Sequence, residues 1–199
     1  MSLKTKVKVG NITNLSEARY CAGMGVDMLG FKIGENNGQI SPDKFRKITE
    51  WISGPEFVLE FADGLPDQAL EKNNVTLAEL HYSEISKLNF LKSGQHCIIT
   101  IDLKEWKQNQ SDLLKYIDSI KYLLVTNSHA LTFLELKGIV VEMANHFDVL
   151  LGVDVNIGLL DDYLSWPIAG LALNGSEETS PGIKDYDHLS SILERLEVD

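Results

Sequence analysis

The stretch Lys6-Val7-Lys8-Val9-Gly10-Asn11-Ile12-Thr13-Asn14-Leu15-Ser16-Glu17 decides the fold. Polar and apolar residues alternate over 6–9, the period of a short strand with one buried face. Asn14 with Glu17 three residues later has the form of a capping box and predicts a helix running to about Met24. Only a few residues separate strand from helix, and Val26-Asp27-Met28-Leu29-Gly30-Phe31 then reads as a second strand. A strand, a helix and a strand at this spacing form the unit from which parallel α/β sheets are built.

The unit repeats to the end of the chain. Ser41-Pro42 predicts an N-cap with proline at the first helical position, and Phe45, Ile48, Trp51 and Ile52 form that helix's apolar stripe. Further strands are expected over 57–62, 76–81, 96–102, 122–126, 149–155 and 168–173. Helices are expected over 66–72, 84–92, 111–120, 129–146 and 159–166, with a last one from Pro181 that places Tyr186, Leu189, Ile192, Leu193 and Leu196 on one face. Eight strands each followed by a helix predict an α/β fold, a small (β/α)8 TIM barrel of eight parallel strands forming a single domain over 1–199. An open doubly wound sheet is the alternative, but it usually carries a glycine-rich phosphate turn, and no G-x-G-x-x-G is present.

Composition narrows the function classes. With 199 residues, 44% of them apolar and 24% charged, the chain can bury one full core. A formal net charge of -11 argues against nucleic-acid and anionic-membrane partners, which need basic patches. Cys21 and Cys97 lack metal-ligand spacing and fall in apolar segments, so a reducing, cytoplasmic compartment is expected. No apolar run approaches a membrane span, and no signal-peptide core follows the basic start Lys4, Lys6 and Lys8.

Several motifs together resemble the phosphoribosylanthranilate isomerase family of tryptophan biosynthesis. They are Lys8-Val9-Gly10-Asn11-Ile12-Thr13, the second strand from Gly25 to Phe31, Ile40-Ser41-Pro42, Glu79-Leu80-His81-Tyr82-Ser83-Glu84 and Ser180-Pro181-Gly182-Ile183-Lys184-Asp185. The resemblance covers nearly the whole chain, with specific motifs in about a third of it, and rests mainly on strand order over about 95–150. It implies the barrel fold and links the chain to the Amadori rearrangement of N-(5'-phosphoribosyl)anthranilate. It further implies no cofactor, no metal, a small phosphorylated metabolite as ligand, and a monomer or homodimer.

The positions that carry the family's chemistry are replaced. The catalytic cysteine of the family's Lys-x-Cys-Gly-Ile-Thr pattern falls on Gly10, and the catalytic aspartate falls on Val125 of Leu123-Leu124-Val125-Thr126. The family's substrate-binding arginine falls near Gly38, the paired glycines of its seventh loop on Val153 and Asp154, and the aspartate of its eighth strand on Ala172. Lys8 and His81 are kept, and Gly175-Ser176 keeps part of the phosphate loop. Since an acid and a base each contribute about 10² to 10⁴ in rate, Gly10 and Val125 imply loss or alteration of the rearrangement.

Strand ends in such barrels carry the functional side chains. Here they offer Lys32, Glu60, Asp63, Glu79, His81, Asp102, Asp154, Asn156 and Asn174. One reading is a reworked polar pocket with His81 as general base, Asp102 as its partner, Lys32 as anion anchor, and Asn174, Gly175 and Ser176 holding phosphate. With His81 and Asp102 as relocated acid and base, the chain would be an active isomerase; with Lys32 forming a Schiff base, a different sugar-phosphate enzyme. The other reading is a set of ion pairs and solvated strand tips, Lys32 pairing with Glu60. A metal held by Glu60, His81, Asp102 and Asp154 lacks any ligand motif in the sequence.

Overall fold

Strand β1 (Lys6–Gly10) pairs in parallel with β2 (Met28–Lys32) on one side and with β8 (Gly170–Asn174) on the other, which closes the sheet. Between them β3 (Glu56–Phe61), β4 (Leu77–His81), β5 (His96–Asp102), β6 (Ile120–Thr126) and β7 (Val149–Leu151) follow in chain order, each parallel to the next. The fold is therefore the expected (β/α)8 barrel. The computed structural model describes residues 2–34, 36, 38–61, 69–126, 131–153, 155–175, 178–180, 183–184 and 186–198.

Alternation along each strand sorts the side chains into two cores. Met28, Val58, Leu77, Ile98, Tyr122, Leu124 and Leu150 form one buried cluster, backed by Ala169 and Ala172, and fill the barrel interior. Their chain neighbours Leu29, Leu59, Ala78, Ile99, Leu123, Val125 and Leu151 belong to a second, larger cluster between sheet and helices. With a period of two, the residues two and four places further along the first set reach the C-terminal mouth.

Local signals set the helix starts. The Asn14 side chain accepts from the Glu17 N–H and opens α1 (Leu15–Gly23); Ser41 accepts from Lys44 N–H and opens α2 (Pro42–Thr49) with Pro42 in its first turn. Further along come the short α3 (Ala69–Lys72), α4 (Trp106–Leu114), α5 (Phe133–Ala144), α6 (Leu160–Leu164) and α7 (Asp187–Leu196). Thr132 and Glu135 form a complete capping box on α5.

Four expectations need correction. The segment after β4 is a 3-10 helix (Tyr82–Phe90) instead of an α-helix. The helix expected over 111–120 begins earlier, because Asp102 caps a turn (Leu103–Glu105) that leads into α4, and Trp106 is buried with its indole N–H on Glu142. Strand β7 stops at Leu151, where the Gly152 N–H makes the last ladder bond to Val125 O; a Cβ on Gly152 would stand 2.7 Å from Leu124 Cδ2. The last helix starts at Asp187, because Glu178–Ser180 and Ile183–Lys184 pair as antiparallel β9 and β10. No helix among the described residues is long and apolar enough to cross a membrane.

Candidate active site at the barrel mouth

Three charged side chains from three strands meet above the apolar interior. Lys8 Nζ on β1 lies 2.6 Å from Glu60 Oε1 on β3 and 2.7 Å from Glu79 Oε2 on β4. Their side chains are 3%, 7% and 17% exposed, so Glu79 is the member nearest to solvent. The register places them together, with Glu60 opposite Glu79. Burying such charges costs several kcal/mol each unless they are paired, and here each carboxylate is held by the same ammonium. Glu60 also accepts from the Asn11 backbone N–H at 3.1 Å, and Glu79 Oε1 accepts from the Thr100 hydroxyl at 3.3 Å. Asn11 has φ 57, a left-handed conformation that asparagine tolerates better than most residues.

Two glycines make room for this cluster. A Cβ on Gly10 would stand 2.5 Å from Glu60 Oε1 and 2.9 Å from Lys8 Nζ; one on Gly30 would stand 2.0 Å from Glu60 Oε1. The Glu60 carboxylate therefore occupies the niche that a side chain at the end of β1 would fill.

Protonation follows from this geometry. For Lys8, burial alone would lower its basicity, but the attraction of Glu60 and Glu79 prevails and holds the ammonium well above the usual lysine range. Burial raises the Glu79 carboxyl above the usual range; Lys8 pulls it back and the Glu60 charge pushes it up further. Burial likewise pushes up the Cys97 thiol, which rules it out as a ready nucleophile.

A cavity of about 270 Å³ is lined by Gly152, Val153 and Val155 after β7, by Ala172, Leu173 and Asn174 of β8, and by His188, Leu189 and Ile192 of α7. Two of its β8 residues, Ala172 and Asn174, lie opposite Lys8 and Gly10 in the strand register. Asn174 Oδ1 would lie 3.4 Å from a Cβ on Gly10.

The residues singled out from sequence are distributed as follows. His81 is exposed at the end of β4, with Nδ1 3.0 Å from Ser83 Oγ and Nε2 3.9 Å from Glu105 Oε2. Asp102 accepts from the Lys104 N–H and caps the turn containing Glu105, so His81 and Asp102 both serve local turns at the rim. Lys32 is exposed; although opposite Glu60 in register, it does not take the role of ion-pair partner, which belongs to Lys8. Asn174 lines the cavity, whereas the Gly175 N–H donates to Gly10 O at 2.7 Å and is already engaged. Ser176, Asp63 and Asp154 lie outside the described residues.

Val125 is buried among the helices, and the β6 residue on the mouth side is Thr126, whose hydroxyl donates to Ile101 O. Gly38 has φ +78, a conformation suited to glycine, with open space around it. Among the described residues no group of three or more His, Cys, Asp or Glu side chains is placed to hold a metal ion.

Two features escaped the sequence reading. His188, a residue outside the strand ends, lies in the first turn of α7, which starts at Asp187, and on the cavity wall. Glu17 was read as a cap; it is fully buried, accepts from the Thr13 N–H, and its Oε1 would stand 2.5 Å from a Cβ on Gly175, so it fits beneath the end of β8.

No protein-family model matches the chain, and no curated protein matches it. Solved structures do. The phosphoribosylanthranilate isomerase of Thermus thermophilus is 22% identical with a TM-score of 0.74, covering 96% of this chain and 98% of that one. Monomers made from the dimeric phosphoribosylanthranilate isomerase of Thermotoga maritima are 17% identical at a TM-score of 0.74, covering 96% and 98%. A phosphoribosylanthranilate isomerase in complex with reduced 1-(o-carboxyphenylamino)-1-deoxyribulose 5-phosphate is 17% identical at 0.75, covering 96% and 97%. At these identities the likeness establishes the fold, and function has to be argued from the site.

Proposed function

We propose that this chain is a diverged relative of the phosphoribosylanthranilate isomerases that binds a small phosphorylated or anionic ligand at the barrel mouth. It does not carry out the Amadori rearrangement with that family's base and acid. The observation that carries this reading is the seat of Glu60: its carboxylate and the Lys8 ammonium fill the space a cysteine at position 10 would need. The change at Gly10 is therefore built into the packing of three strands. At the other family position, Val125 is an apolar core residue facing the helices.

Support for the ligand comes from the cavity between β7, β8 and α7, the quarter of such barrels where phosphate groups are commonly held. Since the Gly175 N–H is engaged, the polar side chains lining that cavity, Asn174 and His188, are the proposed contacts. Relocation of acid and base to His81 and Asp102 is less well supported, because both are occupied by turns at the rim. The fold neighbours include a dimeric enzyme, and a monomer or homodimer is proposed here; a reducing cytoplasm fits the two buried free cysteines.

The test is turnover of N-(5'-phosphoribosyl)anthranilate by the purified protein, followed by loss of the substrate's anthranilate fluorescence. The expected result is no turnover at ordinary enzyme rates; turnover at those rates, or rescue of a tryptophan auxotroph lacking the isomerase, overturns the reading.

A further inference from the structure

The cavity of β7, β8 and α7 has two kinds of wall. Val153, Val155, Leu189 and Ile192 are buried and belong to the core between sheet and helices. Asn174 and His188 are exposed, so the polar part of the lining stands on the open side. Among the described residues no lysine, arginine or carboxylate lines the cavity. The donors on its rim are therefore the Asn174 amide and the His188 ring.

That rim is a poor match for a doubly charged head group. A phosphate group brings a charge of about −1.5 to −2 and three acceptor oxygens at neutral pH. Sites built for phosphate answer with arginine or lysine, or with several backbone N–H groups at a helix start. Here the Gly175 N–H already donates to Gly10 O, and Asp187 puts a negative charge in the first turn of α7. A sugar body fits the inner walls no better, since its hydroxyls would face aliphatic side chains, and an unpaired hydroxyl is costly to bury.

We infer that the cavity takes a small aliphatic monocarboxylate. Its carboxylate is held at the rim by Asn174 and His188, and its hydrocarbon tail lies against Val153, Val155, Leu189 and Ile192. The inference rests on the ligand reading above for the location, and narrows it to a singly charged anion with an apolar body. Volume sets the size. About 270 Å³ lies just under the roughly 300–1,000 Å³ usual for small-molecule sites, which suits a tail of a few carbons. Each methylene moved from water onto such walls multiplies affinity about fourfold.

The experiment titrates the full-length protein with acetate, propanoate, butanoate and pentanoate, with 1-pentanol, and with inorganic phosphate, followed by backbone amide shifts. Dissociation constants are expected to fall about fourfold per added carbon from acetate to pentanoate, with shifts at Val153, Leu189 and Ile192. Pentanoate is expected to bind about tenfold tighter than phosphate, and more tightly than 1-pentanol. Val153→Leu adds one methylene to the inner wall and is expected to level the series one carbon earlier, with phosphate binding unchanged. The series on the parent protein decides the matter whether or not that variant folds. Equal affinity along the series, or shifts confined to residues outside the cavity, overturns the inference.

Failure of the two readings is distinguishable. Binding of phosphate and acetate at Asn174 and His188 with no gain per carbon overturns the inference and leaves the anionic-ligand reading standing. Equal tightening by 1-pentanol and pentanoate, with no response to phosphate, overturns both, since neither then needs a charge.

Discussion

The Glu60 carboxylate stands where a side chain on Gly10 would go: a Cβ there would lie 2.5 Å from Glu60 Oε1, well inside van der Waals contact. Residues 50 positions apart in the chain are thus coupled through one small volume. Restoring a cysteine by Gly10→Cys is expected to destabilise the protein by about 1–3 kcal/mol, the usual cost of overpacking. In Gly10→Cys/Glu60→Ala the space vacated by the carboxylate is open to the introduced side chain, and Lys8 keeps Glu79 as its partner. The double variant should therefore be more stable than the sum of the two single changes implies, a non-additivity read from urea unfolding of all four proteins. Strict additivity would mean that Glu60 does not occupy the niche.

Lys8 is the hinge of the charge arrangement. Lys8→Met leaves Glu60 and Glu79 buried side by side without a cation, and breaking a buried pair in this way costs about 3–5 kcal/mol. The loss should shrink as pH falls, since protonating either carboxylate removes the repulsion. The triple variant Lys8→Met/Glu60→Gln/Glu79→Gln should recover most of the stability. Chemical unfolding of both variants at neutral and acid pH checks the order.

Stability of the parent protein should decline toward alkali. Glu79 holds its proton more tightly in the folded than in the unfolded chain, chiefly through burial. Its contribution is complete below the ordinary glutamate range and is lost as pH rises through its folded value. Lys8 behaves likewise at the far end, present below the ordinary lysine range and lost only in stronger alkali. Glu135 has the opposite sign: the Thr132 hydroxyl and N–H lower its range, so its contribution is present above the ordinary range and lost in acid. Urea midpoints measured against pH should fall above the ordinary glutamate range for the parent and flatten there in Glu79→Gln. Superimposable curves would contradict the assignment.

What could be read in the sequence was what chain neighbours determine. Asn14 and Ser41 cap the helices they announce, because a cap needs only the next three residues. Strand alternation fixed the eightfold count for the same reason. The charged cluster was not legible: Lys8, Glu60 and Glu79 meet only once β1, β3 and β4 are curved into a barrel, and the in-register neighbour Lys32 looked the nearer partner for Glu60. The usable signal was Gly10 and Gly30, small residues on adjacent strands that leave space for a long side chain from a third. His188 was missed because β9 and β10 displace the start of the last helix by six residues from Pro181.

His188 supplies the last prediction. It sits in the first turn of α7, where no side chain caps the helix at Tyr186, and it lines the same cavity as Asn174. Helix N-termini favour anions, and a histidine there adds a hydrogen-bond donor. Asp187 in the same turn opposes an anion, so His188 has to supply the attraction. Titration with inorganic phosphate, followed by amide shifts, should show weak binding at this end of the cavity. His188→Ala should weaken it about tenfold, consistent with the roughly 1.5–3 kcal/mol of a hydrogen bond to a charged group. Binding that is unchanged in His188→Ala would move the anion away from the α7 end of the cavity.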